Sequence, residues 1–104
     1  MNFSTSRHDG KITLRIEGEL DAVTAPELRP TLDQLAEEAP KLVDVDLSSL
    51  RMIDSSGVGV IVSLYKRLRS VGGSVTVSGL RGQPLAIFQV LRLDRVFPSA
   101  AASG

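Results

Sequence analysis

The sequence predicts an α/β domain: a mixed sheet of four to five strands in sequential order, with the helices packed on one face. Three observations carry this expectation. Segments of strand period and helix period succeed one another in the order β-β-α-β-α-β-α. The strand-like segments alternate apolar with polar residues, whereas strands covered on both faces run apolar throughout. Right-handed crossovers kept to one face must all advance in the same direction, which sets consecutive strands side by side. The 104 residues suit one domain spanning 1–104, with a structured core over residues 3–97 and a loose tail at 98–104.

Phe3 to His8 is the first predicted strand. Asp9-Gly10 is a hairpin dipeptide, so the next strand, Lys11 to Glu17, returns antiparallel with Ile12, Leu14 and Ile16 on its dry face. A helix over Thr24 to Ala39 follows. Thr24 and Glu27 have capping-box spacing, Pro26 suits a first turn, and Leu28, Leu32, Leu35 and Ala39 share a face. Pro30 removes an interior hydrogen bond, so a kink or a distorted first turn is expected. Leu42 to Leu47 is the third strand. The second helix starts near Ser55 or Ser56, keeps Ile61, Leu64, Tyr65 and Leu68 inward, and stops before Gly72-Gly73. Ser74 to Ser78 is a short strand. Gln83 to Leu91 is a third helix with Leu85, Phe88 and Leu91 inward and Ile87 beside them.

Composition narrows the function. A chain that is 42% hydrophobic and 23% charged is globular, not disordered. The absence of cysteine excludes a disulfide framework, a thiolate metal site and a cysteine nucleophile. Twelve basic and twelve acidic residues cancel, which speaks against direct nucleic-acid binding. No apolar run approaches the roughly 20 residues of a membrane span, and Met1 to Gly10 lacks the shape of a secretory signal. No membrane insertion and a cytoplasmic location are expected.

Enzyme motifs are missing. His8, the only histidine, falls on an edge strand and reads as a solvated polar residue, so a serine triad has no base. Asp54 stands where a nucleophile elbow around Ser56 needs glycine, and Val62 stands where a dinucleotide fingerprint after Gly57-Val58-Gly59 needs its third. Lys11, Lys41 and Lys66 are the only lysines, and none follows a late strand as a phospho-aspartate receiver requires. Lys66, Arg67 and Arg69, like Asp33, Glu37 and Glu38, read as solvated helix faces. An independent enzyme is not expected.

The run from Leu47 to Val60 reads as the loop joining the third strand to the second helix, at the carboxyl end of a strand, where open sheets build their sites. Asp54, Ser55 and Ser56 are good caps. Gly57 and Gly59 each cost about 0.5–1 kcal/mol of helix stability relative to alanine, and they let another backbone or protein come close. Two readings stand side by side: a capped helix start, or a serine placed to be modified. A phosphate on Ser55 would gain about 0.3–1 kcal/mol from the helix dipole while being repelled by Asp54. The fold would survive, and the surface would acquire about −1.5 to −2 charges. Gly18-Glu19-Leu20-Asp21 reads as a turn closing the second strand.

Asp46-Leu47-Ser48 through Ile53-Asp54-Ser55-Ser56-Gly57-Val58-Gly59-Val60 resembles the signature of STAS domains, in particular of bacterial anti-sigma factor antagonists. Gly18-Glu19-Leu20-Asp21 with Ala25-Pro26 resembles the family's second landmark. The resemblance runs from Phe3 to Phe97 and implies a STAS-like sheet with helices on one side. It implies a partner switch: the unphosphorylated antagonist binds an anti-sigma factor and frees a sigma factor. The anti-sigma factor is also a serine kinase, its phosphorylation of the antagonist ends the complex, and a PP2C-type phosphatase restores it. By position the acceptor falls on Ser55, with Asp21, Asp54, Ser56, Gly57 and Val58 at or beside the contact surface. The kinase supplies ATP and magnesium, so no cofactor is implied here. The alternatives are a STAS subunit of a phospholipid-trafficking ABC transporter and a non-phosphorylated scaffold. Pro30 departs from the family pattern, and a last helix found in some relatives is expected to be missing or very short.

Overall fold

The computed structural model describes residues 1–97; the tail expected at 98–104 lies outside the described residues. The chain forms β1 (Asn2–His8), β2 (Lys11–Leu20), α1 (Ala25–Glu38), β3 (Leu42–Ile53), α2 (Ser55–Ser70), β4 (Ser74–Ser78) and α3 (Gly82–Val90). The four strands lie in the order β1-β2-β3-β4. β1 and β2 are antiparallel, joined by Asp9 and Gly10 at φ 50° and 78°, the left-handed pair that a two-residue hairpin needs. β2–β3 and β3–β4 are parallel.

One core lies between the sheet and the helices. Ile12, Leu14 and Ile16 of β2, Val43, Val45 and Leu47 of β3, and Val75 and Val77 of β4 are buried on the same side. Leu28, Leu32 and Leu35 of α1, Ile61, Leu64 and Leu68 of α2, and Phe88 of α3 close over them in a single cluster. The other face is polar: the Asp44 carboxylate accepts the hydroxyls of Thr76 at 2.7 Å and Ser78 at 2.8 Å. Strict alternation was therefore a sound guide to a one-sided sheet.

The structure departs from expectation in five places. β2 does not end at Glu17; Gly18, Glu19 and Leu20 continue it, paired with Leu50, Met52 and Ile53, and the turn begins only at Asp21. β3 does not end at Leu47; it continues to Ile53, and most of the predicted loop is strand. Its buried positions are 43, 45, 47, 50 and 53, because β3 carries an extra residue against β2 twice, between Asp46 and Ser49 and between Leu50 and Met52. The Ser48 N–H donates to the Asp46 carboxylate at 2.9 Å within the first irregularity. The Thr24–Glu27 capping box does not form. Thr24 already has helical backbone angles, and its hydroxyl donates to Glu19 O at 2.9 Å and accepts the Asp21 N–H at 2.9 Å.

α1 is one helix through Pro30, whose missing N–H leaves the carbonyl of exposed Pro26 without its helical partner. Its first turn is tightened, with the Glu27 N–H donating to Thr24 O at 3.0 Å. Ala39 is an exposed left-handed cap (φ 47°), not a core residue. Leu91 is 50% exposed; Phe97 fills the core instead, with its ring 5.3 Å from Tyr65 and 6.2 Å from Phe88.

Candidate functional site

The centre of the site is Asp54, the single extended residue (φ −115°, ψ −174°) between β3 and α2. Its Oδ1 accepts the N–H groups of Ser56 at 2.9 Å and Gly57 at 3.2 Å, and its carbonyl accepts that of Val58 at 3.0 Å. Three amides of the first turn of α2 are thereby satisfied from one residue. The same residue reaches across the sheet end. Its Oδ2 accepts the Ala22 N–H at 3.3 Å, and its own N–H donates to Leu20 O at 3.2 Å. Asp54 thus joins the two segments that the sequence marks separately, Gly18–Asp21 and Asp54–Val58.

Asp21 organises the other half. Its Oδ1 accepts the N–H groups of Val23 and Thr24, each at 3.0 Å, and the Thr24 hydroxyl at 3.2 Å. The Thr24 amide above all, and then the Val23 amide, holds its carboxyl below the usual range against partial burial. The turn so fixed presents Val23, which is 81% exposed.

Ser55, the first residue of α2, is exposed, as are Ser56 and Gly59. The Ser55 hydroxyl has no hydrogen-bond partner among the described residues, and no histidine or lysine is positioned to activate it, so it is an open hydroxyl and not a primed nucleophile. Two residues expected at or beside the contact surface lie beneath it. Gly57 and Val58 are buried. A Cβ on Gly57 would stand 2.6 Å from Leu20 O and 2.8 Å from Ile53 Cγ1, so the small side of this glycine faces the protein's own backbone. A Cβ on Gly59 would meet nothing within 4 Å. Gly59 is therefore the glycine that leaves room for an approaching molecule.

Two of the amides at the start of α2 are occupied, since Asp54 takes those of Ser56 and Gly57. A phosphate on Ser55 would feel the helix dipole and the neighbouring carboxylate, without those two N–H groups.

Gln83 is a residue the sequence reading missed. β4 stops at Ser78 opposite Asp46, so the end of β3 has no strand on that side. The Gln83 amide takes its place, accepting the Ile53 N–H and donating to Ile53 O, both at 2.9 Å. Its signal was a polar side chain at the start of an otherwise apolar helix. Beside it a cavity of about 350 Å³ opens between Ser48, Ser49, Arg51 and Arg81. His8 sits at the opposite end of the sheet against Asp9 at 3.2 Å, both almost fully exposed. Among the described residues no group of three His, Cys, Asp or Glu side chains could hold a metal ion, and no helix is long and apolar enough to cross a membrane.

Comparison with known proteins agrees with this geometry. A family model described as the Mlab STAS domain matches residues 3–98. The anti-sigma-B factor antagonist of Bacillus subtilis (strain 168) is 30% identical over 103 residues, 99% of this chain and 94% of that protein. A crystal structure of an anti-sigma factor antagonist from Mycobacterium paratuberculosis superposes with a TM-score of 0.81 at 26% identity, covering 93% of this chain and 82% of that one. The phosphorylated form of the Bacillus cell fate determinant SpoIIAA shares the fold, with a TM-score of 0.74 at 21% identity over 90% of this chain and 86% of its own. A four-stranded one-sided sheet, an Asp54-capped helix start and a family match over residues 3–98 lead to one assignment: the chain belongs to the STAS domain family.

Proposed function

We infer that this protein is an anti-sigma factor antagonist and that Ser55 is its phosphate acceptor. The observation that carries this reading is the exposed, unpartnered Ser55 hydroxyl at the head of α2, in a chain whose full-length relative is such an antagonist. The unphosphorylated protein binds an anti-sigma factor that is also a serine kinase, and a sigma factor is released. Phosphorylation of Ser55 ends the complex, and a PP2C-type phosphatase restores the binding form. Ser56, Gly59 and the Asp21–Thr24 turn flank the hydroxyl as the remaining contact surface. Asp54, Gly57 and Val58 support it from beneath.

The electrostatics suit a switch. Docking over the head of α2 buries a neutral hydroxyl in one state and about two negative charges in the other. Asp54 both repels that anion and withholds the Ser56 and Gly57 amides from it. Burying a charge without compensating partners costs several kcal/mol, and each 1.4 kcal/mol is tenfold in affinity. The fold stays intact, because α2 is capped by Asp54 and not by Ser55. A transporter subunit, the second expectation, has no comparable support from the relatives named above.

The test uses an anti-sigma factor with serine-kinase activity from the same organism, with ATP and magnesium. One phosphate mapping to Ser55, retained binding by Ser55→Ala, and binding by Ser55→Asp weakened at least about tenfold are expected. A phosphate on another residue, or equal affinity for the free and phosphorylated proteins, refutes the reading.

A further inference from the structure

β1 is an edge strand with one of the devices that keep edges apart, the inward-side charge of Arg7, and that charge is paired with Glu38 within the same chain. Its pairing with β2 runs unbroken from Asn2↔Glu17 to His8↔Lys11, with no bulge to twist it away. It contains no proline, no lysine and no acidic residue, the other features by which edge strands usually resist pairing. Six of its seven residues are exposed, and among the described residues no strand lies on its outer side.

The register with β2 settles its two faces. Phe3, Thr5 and Arg7 stand beside Ile16, Leu14 and Ile12 on the helix side, and Asn2, Ser4, Ser6 and His8 lie on the open side. Phe3 remains 37% exposed on the side where apolar residues are otherwise covered.

We propose that a second copy of this chain pairs its β1 antiparallel with this one, about a two-fold axis at Thr5. In that register all seven residues find a partner: Asn2 with His8, Phe3 with Arg7, Ser4 with Ser6, and Thr5 with itself. A one-residue slip sets one face against the other, and a two-residue slip leaves two residues of each strand unpaired. Phe3 then meets the guanidinium of the second copy. That group is held in place by two bonds to Glu38, at 2.9 Å and 2.6 Å, and presents a planar cation to the ring. No like charges face one another. The result is an eight-stranded sheet with both helical layers on one side, and both Ser55 hydroxyls lie away from the shared edge, at the head of α2.

A contact of one strand pair buries less than the roughly 1,200 Å² of a stable interface, so the dimer is weak. Sedimentation of the full chain should show mass rising with concentration, with a Kd between about 10 µM and 1 mM. Ser4→Lys/Ser6→Lys, on the exposed open face, sets lysines opposite lysines and should weaken the dimer at least about tenfold. Ser4→Asp/Ser6→Asp should do the same, and an equimolar mixture of the two variants should recover a heterodimer. Circular dichroism checks that both variants fold. A chain that stays monomeric throughout overturns the proposal. So does a dimer that survives in either double variant, a mixture that does not pair, or β1 amides protected only when another protein is added.

Discussion

The carbonyl oxygen of Leu20 occupies the space that a Cβ on Gly57 would enter, at a separation of 2.6 Å. The head of α2 therefore rests directly on the end of β2, and the position of α2 is set by backbone contact. Gly57→Ala adds a methyl group against this carbonyl, Ile53 Cγ1 and Leu20 Cγ. The helix-propensity gain of about 1 kcal/mol is outweighed by overpacking, and a net loss of about 1–3 kcal/mol is expected. Gly59→Ala, with nothing within 4 Å, should gain up to about 1 kcal/mol. Urea unfolding midpoints of the two variants should move in opposite directions.

Asp54 is the second point of attachment. Asp54→Ala removes the acceptor for the Ser56 and Gly57 amides and for the Ala22 N–H. A loss of about 1–2 kcal/mol is expected. Asp54→Asn keeps the cap on the Ser56 and Gly57 amides and gives up only the Ala22 bond, where its NH2 meets an N–H, so it should lose less. Equal losses in the denaturant midpoints of both variants would mean that the cap on the Ser56 and Gly57 amides is not what Asp54 contributes.

Much of this was readable in the chain itself, for physical reasons. β4 and α2 fall at the predicted residues because Val75 and Val77 alternate cleanly and because Asp54 and Gly72 punctuate α2. The sequential, one-sided sheet followed from the polar partners of each apolar strand residue. The second half of β3 was hidden because two extra residues change its inward spacing from two to three, so Leu50 and Ile53 match neither a strand nor a helix period. Thr24 misled because capping-box spacing says nothing about backbone angles. At the site, Asp54 and Ser55 were visible as a cap and a hydroxyl. The burial of Gly57 and Val58 depends on where β2 ends, and the Gln83 contact spans 30 residues, so local spacing carries neither.

The pH dependence should report two carboxyls. Backbone bonding from Thr24 lowers the Asp21 value, and bonding to Arg7 lowers that of Glu38. Each group is thus more acidic folded than unfolded. Its contribution is present above the ordinary carboxylate range near 4 and fades as pH falls below it through the folded value. Asp21→Asn and Glu38→Gln should each flatten the decline in Tm below about pH 5, while leaving the slope between pH 6 and 8 unchanged. Thermal melts across that series would expose a different cause for acid unfolding if both variants kept the full decline.

Gln83 gives the most specific case of a side chain replacing a missing strand. The N–H and C=O of Ile53 lie at the end of β3, beyond the reach of β4, and Ile53 itself is fully buried. Gln83 supplies both bonds at 2.9 Å, so truncation orphans a donor and an acceptor together. Each unsatisfied buried group costs about 1–3 kcal/mol, with water able to offset part of it because Gln83 is itself exposed. Gln83→Ala should therefore lose about 2 kcal/mol. Gln83→Glu keeps the acceptor for the Ile53 N–H but puts a carboxylate oxygen against Ile53 O. It should be worse at pH 7 than at pH 4, where the protonated acid can donate again. Recovery of Gln83→Glu toward wild type on acidification, absent in Gln83→Ala, is the signature of that two-bond clamp. Hydrogen exchange at the Ile53 amide reads it directly, because the amide should open in Gln83→Ala before the rest of β3 does.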